Sequence, residues 1–480
     1  MSPLRARGPG RLGTLALRAR GSCRPGALGA LALMTMSALA RDARVAAAQP
    51  QPEAAQPVPR AAPATPPSAA PDDDAATRAL LTRSDALAAE LAKSRGLPLR
   101  RRIAKDAVDV AELQRRLAAL LAEGEHATQL AREERLLKHW GLIPRELDYR
   151  AALMELLTRQ VAGYYDPKRR RLTLATNATD VGDESWAEAV LVHELQHGLQ
   201  DQAFALQKYG ELVPGEDDAA NAREAVTEGD ATAVMIAWRM RGAVAWADPV
   251  TARAIAESFD EGSEDGLRAT PLAVREHLVF PYRAGFAFAA DRYRRGGWRA
   301  LDAAFRRPPR STEQILHPEL YERDERPSVV PPLQRLAALP QAALLDETVW
   351  GELDVGIFLR SHGVAATEAA LAAAGWNGDR VTVFALPGDR QLGIVRLACD
   401  TEADAHEALE ALERALDAWI LGAAVERARA RSSWLDRRGA LTVVERRGAA
   451  VLVLHDAPLR VARALAEELW AGWPRPAETP

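Results

Sequence analysis

The run Ala189-Val190-Leu191-Val192-His193-Glu194-Leu195-Gln196-His197 constrains this chain more than any other segment. Its apolar spacing predicts a helix from Trp186 to about Ala205, with Ser185 and Glu188 at capping-box spacing near its start. Residues four apart leave one face of a helix, so His193 and His197 can reach a single ion. Glu194, one residue beyond His193, can address a water on that ion. Imidazole pairs suit zinc, and a catalytic zinc site keeps one position open for water.

Two histidines do not complete such a site, and cysteine cannot. The chain holds two cysteines, Cys23 and Cys399, and nine histidines. That excludes both a disulfide framework and a Cys-rich zinc ribbon. A metzincin would need Gly at 200 and His at 203, where this chain has Gln200 and Ala203. His277 is far away in sequence. The next predicted helix, Asp218 to Met240, carries Arg223-Glu224-Ala225-Val226-Thr227-Glu228-Gly229-Asp230. A carboxylate from it would complete a His₂Glu set. Glu224 and Glu228 share a face, so one can be the ligand and the other its support.

The rest of the chain divides by composition. The first forty residues contain six Arg and no acid, and end in an apolar run closing on Ala38-Leu39-Ala40. This predicts a signal peptide over 1–40 and a secreted or periplasmic protein. The run is shorter than the ~20 residues that span a bilayer, and no other segment is long and apolar enough. Residues 41–74, rich in Pro and Ala, read as a disordered tether. With 62 basic against 66 acidic residues, nothing suggests nucleic-acid binding.

The expected fold class is α+β. A mainly helical domain over 75–363, helical in its 75–160 part, carries a short sheet, and a small α+β unit occupies 364–480. Within the first, Leu97 to Ala104 reads as a strand, Gly163 to Pro167 as a turn and Arg170 to Thr176 as a strand. Helices are expected onward to about Gly363. In the second, strands are expected at Val381–Leu386 and Gly393–Cys399, and a helix from Glu402 to about Arg427. A hairpin, Leu441–Glu445 with Ala450–His455, and a helix from Pro458 to Trp470 follow.

HELQHGLQDQ followed by TEGDAT resembles the gluzincin superfamily of zinc metallopeptidases, and within it a group of secreted bacterial proteins. GYYDP at 163–167, STEQILHP at 311–318 and GWNGDR at 375–380, the last read as a turn, carry the second likeness. The resemblance implies a zincin-like domain, Zn²⁺ as cofactor and a protein or peptide substrate. It points to Glu228 over Glu224 as third ligand, because the ligand glutamate commonly precedes Gly-x-Ala. Glu194 is then the general base and later proton donor. A second donor to the oxyanion is expected among His317, Tyr282 and Tyr164 or Tyr165. The strand after GYYDP is expected to hold an extended peptide. Trp376, Asp379 and Arg380 are expected to pin the C-terminal unit by packing and a salt bridge. The alternative, from another class, is a non-catalytic zinc-stabilised binding or scaffold protein of the same fold. Glu194 argues against it, since a purely structural site does not need that carboxylate.

Overall fold

The structure is a computed structural model that describes residues 71–473, except 123, 161–162, 177–183, 212, 243 and 262–269. The expected signal peptide, Cys23, the tether up to residue 70 and the Ser185 side chain lie outside the described residues. Among those described, no helix is long and apolar enough to cross a membrane.

The architecture is α+β with two sheets. The N-terminal half begins with α1 (Pro71–Arg95), β1 (Ala104–Val108), α2 (Val110–Ala122), α3 (Gly124–His139) and α4 (Tyr149–Gln160). Then come β2 (Gly163–Asp166), β3 (Arg171–Ala175), α5 (Glu184–Phe204), α6 (Leu206–Tyr209) and α7 (Asp217–Arg239). The first sheet has the order β1-β3-β2, with β1 parallel and β2 antiparallel to β3. The first strand thus lies at 104–108, not at 97–104: Leu97 and Ile103 are buried as anchors of a non-strand approach to it. Gly163–Asp166, expected as a turn, is strand β2, and the reversal falls at 167–170. The aromatic pair Tyr164-Tyr165 favours a pleated surface, which overrides the local turn signal.

Leu80, Leu87 and Leu91 of α1 pack with Leu191, Val192, Leu195 and Leu199 of α5 and with Leu172 and Leu174 of β3. Residues 75–160 therefore share a sheet with β2 and β3 and a core with the histidine helix. Farther on, α8 (Pro249–Glu261) and α9 (Leu272–Arg306) complete the helical layer, with α9 broken at Gly296-Gly297. Two short helices follow, α10 (Thr312–Leu316) and α11 (Pro318–Glu322).

The second sheet starts earlier than position 364, where the sequence places the C-terminal unit. Its first strand is β4 (Ala343–Thr348), followed by α12 (Gly351–Ser361) and α13 (Ala366–Ala374). The remainder is β5 (Trp376–Leu386), β6 (Arg390–Cys399), α14 (Glu402–Trp419), β7 (Gly422–Ala428), β8 (Arg431–Asp436), β9 (Ala440–Arg447), β10 (Ala450–Pro458) and α15 (Ala462–Ala471). Strand order is β4-β5-β6-β10-β9-β8-β7, antiparallel throughout. Alternation along β10 puts Val451 and Val453 in one core with α14, and Leu452 and Leu454 in another with α15. The helix expected to reach Arg427 ends at Trp419. Gly422–Ala428 is instead an exposed edge strand, held by pairing with β8 and by Arg427, which pairs with Asp417 and lies over Trp434.

The GWNGDR segment is part of β5, bulged between Trp376 and Gly378, and not a free turn. The expected salt bridge runs from Arg380 Nη2 to Glu216 Oε1 at 3.5 Å, while Asp379 is taken up by hydrogen bonds. Asp379 accepts hydrogen bonds from Trp350 N (2.9 Å), Gly351 N (2.8 Å) and Trp376 Nε1 (2.7 Å), fixing the start of α12. Arg380 donates to Gly215 O (2.9 Å), just before α7. The STEQ segment acts in the same junction: Thr312 donates from N (3.0 Å) and Oγ1 (2.5 Å) to Asp218 Oδ1, on the first turn of α7.

Candidate metal centre

Helices α5 and α7 carry the site, and α9 sets their depth. At the α7–α9 crossing Gly229 faces Gly285, close enough that a Cβ on Gly229 would lie 2.1 Å from Gly285 O. Glycine at both positions lets the α7 and α9 backbones touch, while Glu228 of α7 faces the histidines of α5.

His193, His197 and Glu228 converge there, each fully buried. His193 Nε2 and His197 Nε2 are 3.0 Å apart, and Glu228 Oε2 lies 3.2 Å from the first and 3.5 Å from the second. Ligand atoms held ~2 Å from one tetrahedral ion sit roughly 3.3 Å from each other. The spacing and the N,N,O donor set therefore fit a divalent ion such as zinc. His193 Nδ1 and Glu228 Oε1 have no hydrogen-bond partner.

The protonation pattern follows from the neighbours. Gln200 spends its amide on Thr227 O (2.9 Å) and Asp230 Oδ2 (2.8 Å), so its Oε1 faces His197 Nδ1 at 2.8 Å. An acceptor there requires a proton on Nδ1, leaving the Nε2 lone pair for the cluster. Burial opposes charge on both histidines. At His193 it prevails and lowers the pKa, whereas at His197 the Glu228 carboxylate outweighs it and raises the pKa to about 9. Burial likewise opposes charge on Glu228, but His197 and His193 hold its pKa below the usual value.

Glu194 is buried one residue along, with Oε2 unpartnered. Burial, aided by the negative charge of Glu228, pushes its pKa up to about 8, while the Tyr165 backbone N–H bonds the carboxylate and works against that rise. The Tyr165 hydroxyl points elsewhere, donating to Asp201 Oδ2 at 3.0 Å. Tyr164 lines a separate surface hollow with Asp106 and Arg116. Of the expected oxyanion donors, fully buried Tyr282 has its ring 6.3 Å from that of His193. His317 is not brought to the cluster; its Nε2 pairs with Glu352 Oε1 at 2.9 Å. Glu224 lies one turn before Glu228, outside the ligand cluster, and lines an adjoining cavity.

A buried network under the ligands had no direct signal in the sequence. Gln196 and Gln200 both donate to Asp230 Oδ2, and Arg95 Nε donates to Asp230 Oδ1 at 2.8 Å. Arg95 reaches this point from the end of α1 and stacks over Trp298, 4.7 Å from the ring centroid. Asp230, two residues past Glu228, was within reach of motif reasoning; Arg95, 135 residues away, was not.

A family profile described as a domain of unknown function, DUF8575, matches residues 341–466. That stretch runs from β4 into α15 and contains none of the cluster residues. No curated protein and no solved structure matches the chain.

Proposed function

We propose that this protein is a secreted, zinc-dependent metallopeptidase of the gluzincin type, with a zincin-like catalytic domain and a protein or peptide as substrate. The observation that carries the reading is the His193–His197–Glu228 cluster with Glu194 beside it. His193, His197 and Glu228 would hold the ion. When bound, zinc supplies Lewis acidity and makes a water acidic enough to lose a proton near neutral pH. With the ion in place its charge would hold Glu194 ionised against burial, and Glu194 would then accept a proton at Oε2 and return it to the leaving amine. Gln200 keeps the His197 ring in the tautomer that leaves Nε2 free. Tyr282 is the best-placed side chain to donate to a developing oxyanion. The low accessibility of all four central residues serves to exclude water once substrate is bound.

That same burial favours the second reading, a zinc-stabilised scaffold without turnover. One experiment separates them. The secreted chain is incubated with a peptide library, then with chelator, then with chelator followed by excess zinc. Cleavage that stops and returns is the expected result, and stoichiometric zinc without cleavage supports the scaffold. N-terminal sequencing of the secreted material should give a start at or shortly after Arg41.

A further inference from the structure

We infer that the cavity beside Glu228 is a pocket for a lysine or arginine side chain of the substrate. This rests on the peptidase reading above and names the substrate class of that site. The cavity has a volume of about 130 Å³, and α3, α7 and the start of α12 contribute to its wall. One water needs ~10–15 Å³, so the space suits a larger guest. Glu228 is part of its lining, fully buried and with Oε1 unpartnered, so the pocket adjoins the metal cluster directly.

The lining pairs an apolar wall with buried acid oxygens that lack partners. Leu136, Leu137, Trp140 and Trp350 form the wall. Two of the cavity's carboxylates are already neutralised: Asp217 receives both Nη atoms of Arg132 (3.2 and 2.8 Å), and Asp354 faces His277 Nε2 at 2.5 Å. Glu133 and Glu224 are not. Glu133 Oε2 and Glu224 Oε1 are shut off from solvent and accept no hydrogen bond. Arg223, the arginine of the lining, donates Nη2 to the Glu211 backbone carbonyl at 3.0 Å and keeps its charge and a buried, unpartnered Nε, so the guest's cationic head must sit on the Glu133–Glu224 side, away from it. Leaving a buried acceptor without a hydrogen bond is unfavourable, and more so when it is charged. Burial raises the Glu133 carboxyl to about 7 and, with Glu228 and Glu133 nearby, Glu224 well above its ordinary range, so without a guest both lean toward the neutral acid and a cationic guest would draw them into the charged form. A cationic guest removes that cost.

A second metal ion fits less well. Among the described residues, His193, His197 and Glu228 are the one group with three donor atoms within 4.8 Å of each other. The cavity's acids are too widely spaced to chelate. A long aliphatic stem with a hydrogen-bonding cationic head matches both features, stem along the wall and head between Glu133 and Glu224.

The test uses the zinc-loaded full chain carrying Glu194→Gln, so that binding is read without turnover. Calorimetry compares Nα-acetyl-lysine methylamide and its arginine counterpart with the norleucine methylamide, which has the same stem and no charge. The basic probes should bind about tenfold or more tighter. Adding Glu133→Gln and Glu224→Gln together should erase the difference, and Glu224→Gln alone should reduce it. Equal binding of norleucine and lysine, absence of binding by either, or a difference that survives the double change would overturn the inference. In parallel, a library digest with the unaltered enzyme should show a basic residue at one fixed position beside the cut. Lysine-selective binding without any cleavage would leave the pocket standing and sink the peptidase reading.

Discussion

Four side chains decide the chemistry, and the proposed roles separate cleanly by substitution. Glu194→Gln keeps the shape of the side chain but removes its ability to take a proton. Metal content should stay near one per chain while cleavage falls by ~10²–10⁴, measured by elemental analysis and a peptide assay on the same preparation. Glu228→Ala should abolish most metal binding, because one of three donors goes and two imidazoles lose their carboxylate. Glu224→Ala should retain the metal, since Glu224 lies outside the cluster; a competition titration with a metallochromic chelator ranks the two. At this scale the sequence was most legible where helical spacing alone dictates proximity, as with His193, His197 and Glu194. Tyr282 and His317 could not be ranked by residue type. Only the packing of α9 puts Tyr282 near His193, and only Glu352 explains where His317 points.

Between elements, the critical feature is the crossing of α7 and α9. A Cβ on Gly229 would strike Gly285 O, and one on Gly285 would lie 2.1 Å from Ala225 O. Backbone atoms cannot rotate away as a side chain could, so Gly229→Ala must push the helices apart. The expected cost is ~1–3 kcal/mol in urea unfolding, the usual range for overpacking, together with weaker metal binding as Glu228 retreats. Gly356→Ala on α12 is the control: its Cβ would sit 3.8 Å from that of Ala373, an ordinary contact, so stability should hold or rise slightly. The element misreadings share a cause. Gly163–Asp166, Trp376–Arg380 and Gly422–Ala428 are strands because a neighbour pairs with them, and pairing partners are not local information. β7 is the extreme case, with Ala, Glu and Arg suited to a helix and every residue exposed.

Across the whole molecule, the N-terminal helical part meets the C-terminal sheet through a buried aromatic and histidine cluster. His139 of α3 and His455 of β10 lie 5.2 Å apart by ring centroids, with Trp140 and Trp419 against them. Burial pushes both histidines down to about 3. Their folded pKa values lie below the unfolded one near 6.5, so between those limits the unfolded chain binds more protons. Their stabilisation is therefore complete above pH 6.5 and is lost as pH falls from 6.5 toward 3. Buried carboxyls such as Asp379, raised to about 6, act in the opposite sense as pH rises. The clean measurement is thus a difference: the wild type should lose more unfolding free energy between pH 7 and pH 4.5 than His455→Phe does. Parallel pH profiles for the two proteins would show that this junction does not sense acid.

What the sequence determined by itself is the local part of this protein. The i, i+4 spacing put two imidazoles on one face, apolar periodicity made α5 and α7 helices, and short apolar runs marked β6, β9 and β10. Each of these depends only on residues within a few turns of one another. The tertiary structure decided everything that depends on two distant segments meeting. It set Glu228, not Glu224, against the histidines, and gave His197 its tautomer through Gln200. It anchored Asp230 with an arginine from the first helix and set Arg380 of the C-terminal sheet against the loop before α7. Those pairings are fixed by the burial of whole helix faces, a quantity that no window of sequence contains.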